Sequence, residues 1–373
     1  MRVLYVSKPI EPPWHDGSKN LVRDLAEHVV DIEPWVMVSD AATQLASRVR
    51  TLPIYGAAQG GYAPKLQENA RVLRQLLGKP AHDLWHFVFA PNPASSSAAH
   101  VAISVQNART RLNGSKRPRV VQTVASAPRS YERVRSLLFG DRVVVQSQHT
   151  LDRVLGAGAD ATKLRKIVPC ARAPEAPSQA RIATAVPPEA QAGYLIYPGD
   201  LEISSGARTV IEAVTRGLTQ LGGGLSLLMA CRAKTARAAE IQRELEARVP
   251  SDLRSRVHWI GTAQDLPALL AGARAVVFPV DDLYGKVDVP LVLLESLALG
   301  TPLVLARGGP LEEIDSALFV PPADPDALIA RVDQLLGDAA LARDLVTRGA
   351  REFAEKFSPE TVAAQYRALY AEL

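Results

Sequence analysis

The feature that most constrains the fold is an alternation of apolar strands and amphipathic helices that runs along the chain twice. In the first run, strand patterns such as Arg2–Ser7 and Leu84–Phe89 recur with helical patterns between them, for example Ser18–Val30. Strands that alternate with helices in this way form a parallel sheet with helices on both faces. The alternation restarts at Tyr194–Tyr197. We therefore predict an α/β fold of two Rossmann-like, doubly wound domains that face each other across a cleft.

The boundaries between these domains follow from a change in composition. Residues 173–191 are rich in proline and alanine and show little apolar periodicity, so they are predicted as a linker. Residues 1–172 then form the N-terminal domain and residues 192–357 the C-terminal domain. Residues 358–373 are predicted as a C-terminal helix that could cross back to the N-terminal domain. Ligands of such domains bind in the loops at the carboxyl ends of the strands.

Composition excludes several classes of protein. The chain has 373 residues, 47% of them hydrophobic, which is enough apolar material for two cores and too much for disorder. Its two cysteines, Cys170 and Cys231, exclude a disulfide scaffold and favour a reducing compartment. No apolar run has the length of a membrane span, and the apolar start is too short for a signal peptide. We expect a cytoplasmic protein.

The charge is divided unevenly along the chain. Residues 1–172 hold 24 lysines and arginines against 13 acidic residues, a net charge of +11, whereas the remainder carries −7. A basic half suggests an anionic partner: a phospholipid surface, a lipid phosphate acceptor or nucleic acid. The alternative is that these cations only keep the surface soluble. Because only 5% of the residues are aromatic and no basic stripe contains aromatic residues, nucleic acid is not expected. Peripheral contact with the inner face of an anionic membrane stays open.

The loop after the first strand is a candidate for acceptor binding. Gly17 permits a tight turn there, and the amides of the following helix could meet an anion or a polar substrate. His15 and Asp16 in this loop could orient a hydroxyl group or could simply be solvated. His86, inside an apolar strand, is either a catalytic group or a core histidine whose hydrogen bonds are satisfied.

A second candidate loop, Pro198–Gly206, joins a strand to a helix and could cradle a phosphate with its amides. Asp200 and Glu202 oppose this interpretation because they add negative charge. The alternative is that the serines of this loop only cap the helix. Its candidate donor-binding residues are Gly199, Ser204, Ser205 and Gly206.

The third candidate region precedes and enters a helix that begins at Pro290. Lys286 and Asp288 lie just before it. Glu295 falls in an apolar stretch of the helix, where a charge is costly unless it binds something, although it could also lie on the exposed edge. The chain shows no metal-ligand spacing, no nucleophile elbow and no phosphate loop, so neither a metal site nor a cofactor is predicted.

These motifs together resemble a GT-B glycosyltransferase of family 4, over nearly the whole chain. The resemblance is strongest in Val257–Leu373. It includes Val257–Gly261 (VHWIG), Leu293–Val304 (LLESLALGTPLV) and Phe319–Pro325 (FVPPADP). The strand, Gly17 loop and helix at the N-terminus add a second, less specific match.

The resemblance implies that the N-terminal domain binds the acceptor and that the C-terminal domain binds a nucleotide-diphosphate sugar. Transfer in this family usually retains the anomeric configuration and needs no metal. On this basis the catalytic candidates are His86 and Glu295. The donor-binding candidates outside the Pro198–Gly206 loop are Gly17, Arg232, Lys234, Lys286, Asp288 and Glu295, and those on the acceptor side are His15, Asp16 and Ser126.

Four positions depart from the family pattern and remove its usual diphosphate clamp. Val287 stands where the family has the first of two glutamates, while Glu295 matches the second. The other departures are Asp200 for an arginine, Ser205 for a lysine and Ala125 for a histidine. A leaving diphosphate develops negative charge and needs positive partners. Lys286, Arg232 and Lys234 are the cations available to replace the clamp.

The prediction is a glycosyltransferase that moves a sugar from a nucleotide-diphosphate sugar to a lipid-linked, glycan or small-molecule acceptor. One alternative is a catalytically silent GT-B protein that binds or scaffolds a partner. A weaker alternative is a GT-B sugar-nucleotide epimerase or hydrolase.

Overall fold

The computed structural model divides the chain into two compact units. It describes all residues except 15, 40–43, 57–65, 115, 127, 129, 218–223 and 234. Unit 1 comprises Met1–Ala171, Tyr284–Pro290 and Phe357–Leu373. Unit 2 comprises Arg172–Leu283 and Leu291–Lys356. Each unit is an α/β domain with its own parallel sheet.

The sheet of unit 1 is doubly wound. Its strands are β1 (Arg2–Val6), β2 (Glu33–Val38), β3 (Arg50–Pro53), β4 (Leu84–Phe89), β5 (Arg119–Val124), β6 (Arg142–Val145) and β7 (Leu164–Lys166). They pair in parallel in the order β3-β2-β1-β4-β5-β6-β7. From β1 the strands follow one another outwards in sequence to β3 on one side and from β4 to β7 on the other, so the winding reverses between β1 and β4. The loops after these two strands therefore border the crevice where such sheets bind ligands.

The helices of unit 1 end where the sequence supplies caps. Up to β7 they are α1 (Gly17–His28), α2 (Leu66–Leu77), α3 (Pro93–Asn113), α4 (Val134–Leu137) and α5 (Gln148–Gly156). Helix α3 is longer than the apolar pattern alone predicts. The Asn92 side chain accepts from the Ser95 amide at its start, and Gly114 ends it in the left-handed conformation, with φ 64°.

Unit 2 repeats this architecture with a smaller sheet. Its strands are β8 (Tyr194–Tyr197), β9 (Ser226–Met229), β10 (Val257–Trp259), β11 (Ala275–Phe278), β12 (Leu303–Ala306) and β13 (Leu318–Val320). They pair in parallel in the order β10-β9-β8-β11-β12-β13. The order reverses between β8 and β11, which places the expected ligand crevice of this unit at the loops after those two strands.

The helices of unit 2 surround this sheet. They are α6 (Gln179–Ala185), α7 (Gly206–Gly217), α8 (Ala238–Arg248), α9 (Leu266–Ala271), α10 (Leu291–Ala298), α11 (Pro325–Gly337) and α12 (Ala339–Glu352). Short 3-10 turns lie at Pro188–Ala190, Arg254–Arg256 and Pro310–Glu313, and a π turn lies at Phe353–Phe357.

The predicted linker differs from the structure. Helix α6 lies inside residues 173–191, packs against α9 and belongs to unit 2. An ion pair between the Arg181 guanidinium and the Asp265 carboxylate joins the two, with Nε and Oδ2 2.6 Å apart. The alanines and prolines that suggest a flexible connection therefore form part of a folded unit.

The last helix, α13 (Pro359–Ala371), groups with unit 1. It packs against α1 and buries two tyrosines, Tyr366 and Tyr370. The Tyr370 hydroxyl lies 2.7 Å from Nδ1 of His86, and the Tyr366 hydroxyl lies 3.0 Å from Oγ1 of Thr123. The end of the chain thus completes the core of unit 1 through buried hydrogen bonds.

Candidate functional site

The loop between β1 and α1 is closed by a helix cap. The Asp16 side chain accepts from the Ser18 amide at 2.9 Å and from the Lys19 amide at 3.2 Å. Its other oxygen binds Nζ of Lys8 at 2.6 Å. Burial opposes ionisation, but the Lys8 ammonium and these hydrogen bonds hold the pKa of Asp16 below its usual value. The first amides of α1 are therefore taken, so the prediction that Asp16 faces an acceptor hydroxyl is corrected: it is a structural cap.

Gly17 lies against the residue that replaces a family glutamate. A Cβ atom on Gly17 would come within 2.8 Å of Cγ1 of Val287. The segment Tyr284–Pro290 belongs to unit 1, so the valine fills space beside the first turn of α1. Gly17 is thus required for close packing at this point.

Asp288 is held by the start of α5. It is buried, and its Oδ2 atom accepts from Oγ of Ser147 at 2.5 Å. Ser147 also caps α5, since its Oγ accepts from the Thr150 amide. The preceding residue, Gln146, is fully buried, and its two amide atoms have no hydrogen-bond partner among the described residues. A buried amide without partners is costly and fits a site that a polar group completes, and sequence analysis missed it.

His86 is a core residue. It is fully buried in β4, and its ring nitrogens lie within hydrogen-bond distance of Tyr370 and of Thr123, at 2.7 and 2.8 Å. Burial lowers its pKa to about 3, so the ring is neutral at ordinary pH. The prediction that His86 is catalytic is therefore corrected, because both nitrogens are committed within the core.

In unit 2, the loop between β8 and α7 uses its own side chains to satisfy its amides. The Ile203 amide donates to Oδ1 of Asp200 at 3.0 Å, and the Gly206 amide donates to Oγ of Ser204 at 3.2 Å. The Ser205 amide donates to Oδ1 of Asp281 at 3.0 Å. Asp281 follows β11, so this last bond spans the point where the strand order reverses. The Asp281 carboxylate thus accepts the hydrogen bond of an amide that was predicted to bind a phosphate. Sequence analysis missed Asp281.

The two predicted glycines of this loop have a packing role. A Cβ atom on Gly199 would lie 2.2 Å from the Tyr197 ring, and one on Gly206 would lie 2.8 Å from the Tyr197 hydroxyl. Tyr197 is fully buried, stacks on Phe278 and donates to the Asp200 carbonyl. The glycines thus let the loop fold over this ring, which accounts for them without a ligand.

The remaining predicted groups of unit 2 lie nearer the surface. Glu202 accepts from the amide and the hydroxyl of Thr235, both at 2.9 Å, which ties the loop after β8 to the loop after β9. Arg232, in that second loop, is half-buried. Glu295 is half-buried on α10 beside the buried Leu294 and Ser296, so it lies at the border between the core and the surface.

The predicted residues therefore divide between the units. Unit 1 holds Asp16, Gly17, His86, Ser126, Lys286 and Asp288, and unit 2 holds Gly199, Ser204, Ser205, Gly206, Arg232 and Glu295. Ser126 is buried directly after β5. His15 and Lys234 lie outside the described residues. Within the described ranges, no three histidine, cysteine or acidic side chains are grouped so that they could hold a metal ion. None of the helices described has the length and apolar character needed to cross a bilayer.

Solved structures with this architecture cover the whole chain. Sucrose-phosphate synthase from Thermosynechococcus elongatus superposes with a TM-score of 0.75 at 20% identity, covering 100% of this chain and 99% of that one. HepE of Anabaena in complex with UDP gives 0.72 at 14% identity, with 100% of both chains covered. Residues 192–338 match the family model described as Glycosyl transferases group 1.

The chain has the GT-B fold, and its residues 192–338 resemble Glycosyl transferases group 1. The predicted fold and the predicted resemblance are thereby confirmed. Among curated relatives, the GT-B chain is 39% identical over 112 residues to an MMP alpha-(1->4)-mannosyltransferase of Mycolicibacterium hassiacum, over 29% of this chain and 26% of that protein. It is 28% identical over 122 residues to an N-acetyl-alpha-D-glucosaminyl L-malate synthase of Bacillus anthracis, over 32% of this chain and 31% of that protein. The matches thus span about a third or less of these relatives.

Proposed function

We propose that this GT-B protein transfers a sugar from a nucleoside diphosphate sugar to a lipid-linked, glycan or small-molecule acceptor, with retention of the anomeric configuration. The observation that carries the proposal is the match of residues 192–338 to Glycosyl transferases group 1, which contains Glu295 on α10. The names of the relatives support sugar transfer, and HepE, with the same fold, binds UDP.

The roles of individual residues follow from charge and position. The half-buried carboxylate of Glu295 accepts hydrogen bonds from hydroxyls of the donor sugar or ribose. Arg232, in the loop after β9 of unit 2, supplies positive charge to the leaving diphosphate. The leaving phosphate oxygen accepts the proton of the acceptor hydroxyl, so no protein base and no resident metal or cofactor is needed. We expect turnover to persist in the presence of a metal chelator.

Donor binding competes with an internal anion in this proposal. Asp281 holds the Ser205 amide at the start of α7, where a donor phosphate would otherwise find a partial positive charge. Asp200 and Glu202 add further negative charge to the same loop. The donor diphosphate displaces the exposed Asp281 carboxylate from this amide, and the affinity for nucleotides is correspondingly low.

The same contact favours a second candidate function. If Asp281 is never displaced, the protein is a catalytically silent GT-B protein that binds a partner. The specific observation that favours the silent protein is that the amides of Ile203, Ser205 and Gly206 already donate to protein side chains.

Nucleotide binding and product formation separate the two candidates. The purified chain is heated with millimolar UDP, GDP or ADP, and sugar transfer is then measured with the matching nucleotide sugars. We expect one nucleotide to raise the melting temperature, because a ligand that binds only the folded state stabilises it. If none does, the silent alternative holds.

A charge-restoring double variant provides a second, independent test. Asp200→Arg with Ser205→Lys returns two cations to the loop. Loss of an existing activity in this variant supports a rebuilt donor site, whereas activity gained from nothing supports the silent protein.

Contact with an anionic membrane is a further part of the proposal. It rests on the net charge of +11 in residues 1–172 and on the lipid-linked class of acceptor.

A further inference from the structure

One region of unit 1 is basic without interruption. Between Asp83 and Glu132 the chain contains no acidic residue. Its lysines and arginines there are Arg109, Arg111, Lys116, Arg117, Arg119 and Arg129. Apart from Arg129, which lies outside the described residues, they lie at the carboxyl end of α3 and at the start of β5. This places them at the amino-terminal edge of the sheet of unit 1, opposite the loops after the strands.

Some of these cations have structural partners. Arg117 binds Asp141 through both terminal nitrogens, at 3.0 and 2.7 Å, and Arg109 donates to the Gly78 carbonyl. By contrast, Arg111, Lys116 and Arg119 are exposed and form no ion pair within the described ranges. Arg111 and Lys116 are available to an external anion, whereas Arg119 also lies close enough to Asp141 to help lower the pKa of that carboxyl.

Helix α2 adds another cation to the same edge. Nε2 of Gln106, on α3, donates to the carbonyls of Leu76 and Gly78 at 2.8 and 2.9 Å. This pair of bonds fixes the end of α2 against the last turns of α3 and brings the exposed Lys79 to that edge. We call Lys79, Arg111, Leu112, Lys116 and Arg119 the amino-edge patch.

Leu112 projects from this patch. It is 82% exposed, more than the other large hydrophobic residues exposed in the described part of the chain. An exposed aliphatic side chain in a segment that carries several cations is a combination suited to the boundary between lipid headgroups and acyl chains.

A cavity continues the patch along the same edge. It has a volume of about 240 Å³ and lies at the starts of β6 and β7. Leu138, Val143 and Leu164 form apolar walls, Arg135 and Lys163 supply positive charge, and Asp160 adds one negative charge, so the lining has a net positive charge. Gly140 lines it too, and the next residue, Asp141, is the partner of Arg117. The cavity and the amino-edge patch are therefore neighbours.

We propose that the amino-terminal edge of the sheet in unit 1 docks on an anionic lipid bilayer. The cations of the amino-edge patch meet the headgroups, Leu112 enters the interface, and the cavity receives one anionic headgroup between Arg135 and Lys163. The exposed Leu112 in the patch favours lipid over single-stranded nucleic acid, which binds through stacked aromatic rings. The inference rests on the membrane contact proposed above but not on donor chemistry.

Flotation of the full chain with vesicles tests this proposal. Vesicles containing phosphatidylglycerol are compared with pure phosphatidylcholine vesicles, at low and at high salt. We expect binding to the anionic vesicles alone, and a loss of about tenfold or more in high salt. Arg111→Glu with Lys116→Glu, and separately Leu112→Asp, should each reduce binding about tenfold. Lys163→Glu should have a smaller effect in the same direction.

The control is a variant with the same charge change in unit 2. Arg343→Glu with Arg351→Glu alters two exposed arginines on α12 that form no ion pair within the described residues. This control should float like the wild type. Equal loss in the control, absence of binding to anionic vesicles, or equal binding of a DNA oligonucleotide to the patch would overturn the proposal. Nucleotide-induced stabilisation, measured on the same variants, reports on donor binding separately.

Discussion

The two junctions at the centres of the two sheets have the same topology but different electrostatics. In unit 1, the loop from β1 to α1 is capped by Asp16, which is paired with Lys8 at 2.6 Å. In unit 2, the loop from β8 to α7 is held by Asp281 on the Ser205 amide, and Asp200 and Glu202 lie in the same loop. The Asp16 carboxylate has a cation beside it, whereas the Asp281 carboxylate is exposed and the loop that it binds carries two further acidic residues.

The difference shows what a strand–loop–helix junction does and does not indicate. Both helices begin with amides that could bind an anion, and in both the protein supplies the anion itself. A half-buried cap with an ion pair, such as Asp16, is a permanent part of the fold. An exposed carboxylate, such as Asp281, is one that a ligand phosphate can displace. We therefore propose that the donor binds at the junction of unit 2.

The largest expected effect concerns the glycines of the two junctions. Gly199→Ala places a Cβ atom 2.2 Å from the buried Tyr197 ring and should destabilise unit 2 by about 3 kcal/mol. Gly17→Ala meets Val287 at 2.8 Å and should cost about 1 kcal/mol. Urea unfolding of the variants measures both.

Two controls accompany these glycine variants. Val287→Ala should relieve most of the cost of Gly17→Ala, since the clash is with that side chain. Gly337→Ala, where no atom lies within 4 Å of the added methyl, should be close to neutral. Equal costs at Gly199 and Gly337 would contradict the packing role of Tyr197.

The pH dependence of stability should distinguish the two units. His86 is neutral in folded unit 1, with a pKa of about 3, whereas in the unfolded chain it titrates near about 6.5. The contribution of His86 to the free energy of unfolding is therefore largest above the unfolded pKa, and it is lost as the pH falls towards 3. At pH 5 the loss is about 2 kcal/mol, and unit 1 should unfold before unit 2 on acidification.

Substitution of the histidine checks this assignment. His86→Gln should flatten the dependence between pH 7 and pH 5, whatever its stability at neutral pH, while His100→Gln, at an exposed position, should leave it unchanged. An unaltered slope in His86→Gln would mean that other groups control the acid transition.

The smallest effect is expected at the cap of unit 1. Asp16→Ala removes the acceptor for the first amides of α1 and should cost about 1 kcal/mol without changing nucleotide affinity. Asp16→Asn, which keeps the cap, should cost less. Thermal unfolding and a nucleotide titration on the same samples provide the two readings. A change in nucleotide affinity would place donor binding at this junction instead.

The sequence predicted the elements of the fold more fully than the contacts of the site. Buried strands such as β1 and β4 are visible because both faces are apolar, whereas β3, with the exposed Arg50 and Thr51, lacks that pattern. The ion pair that folds the predicted linker into unit 2 joins residues 84 positions apart, so local composition carries no sign of it.

The site residues show the same limit. The sequence around His86 is compatible with a catalytic role and with a core role, and its partner Tyr370 lies 284 positions away. Asp281 meets Ser205 across 76 positions because parallel pairing brings the ends of β8 and β11 together. The crowding of Gly199 by Tyr197, only two positions away, was in principle open to sequence reasoning. The sequence does not show that Gln146 is buried, so only the structure reveals that its side-chain amide lacks hydrogen-bond partners among the described residues.

The most direct measurement is a calorimetric titration of the nucleoside diphosphate that stabilises the wild-type chain, into the wild type and into Asp281→Asn, with Asp282→Asn as the charge-matched control. Removing the negative charge at the start of α7 should strengthen binding about tenfold in Asp281→Asn, equivalent to about 1.4 kcal/mol, and have little effect in the control. Binding that is unchanged or weaker in Asp281→Asn would contradict a donor site at the junction of unit 2.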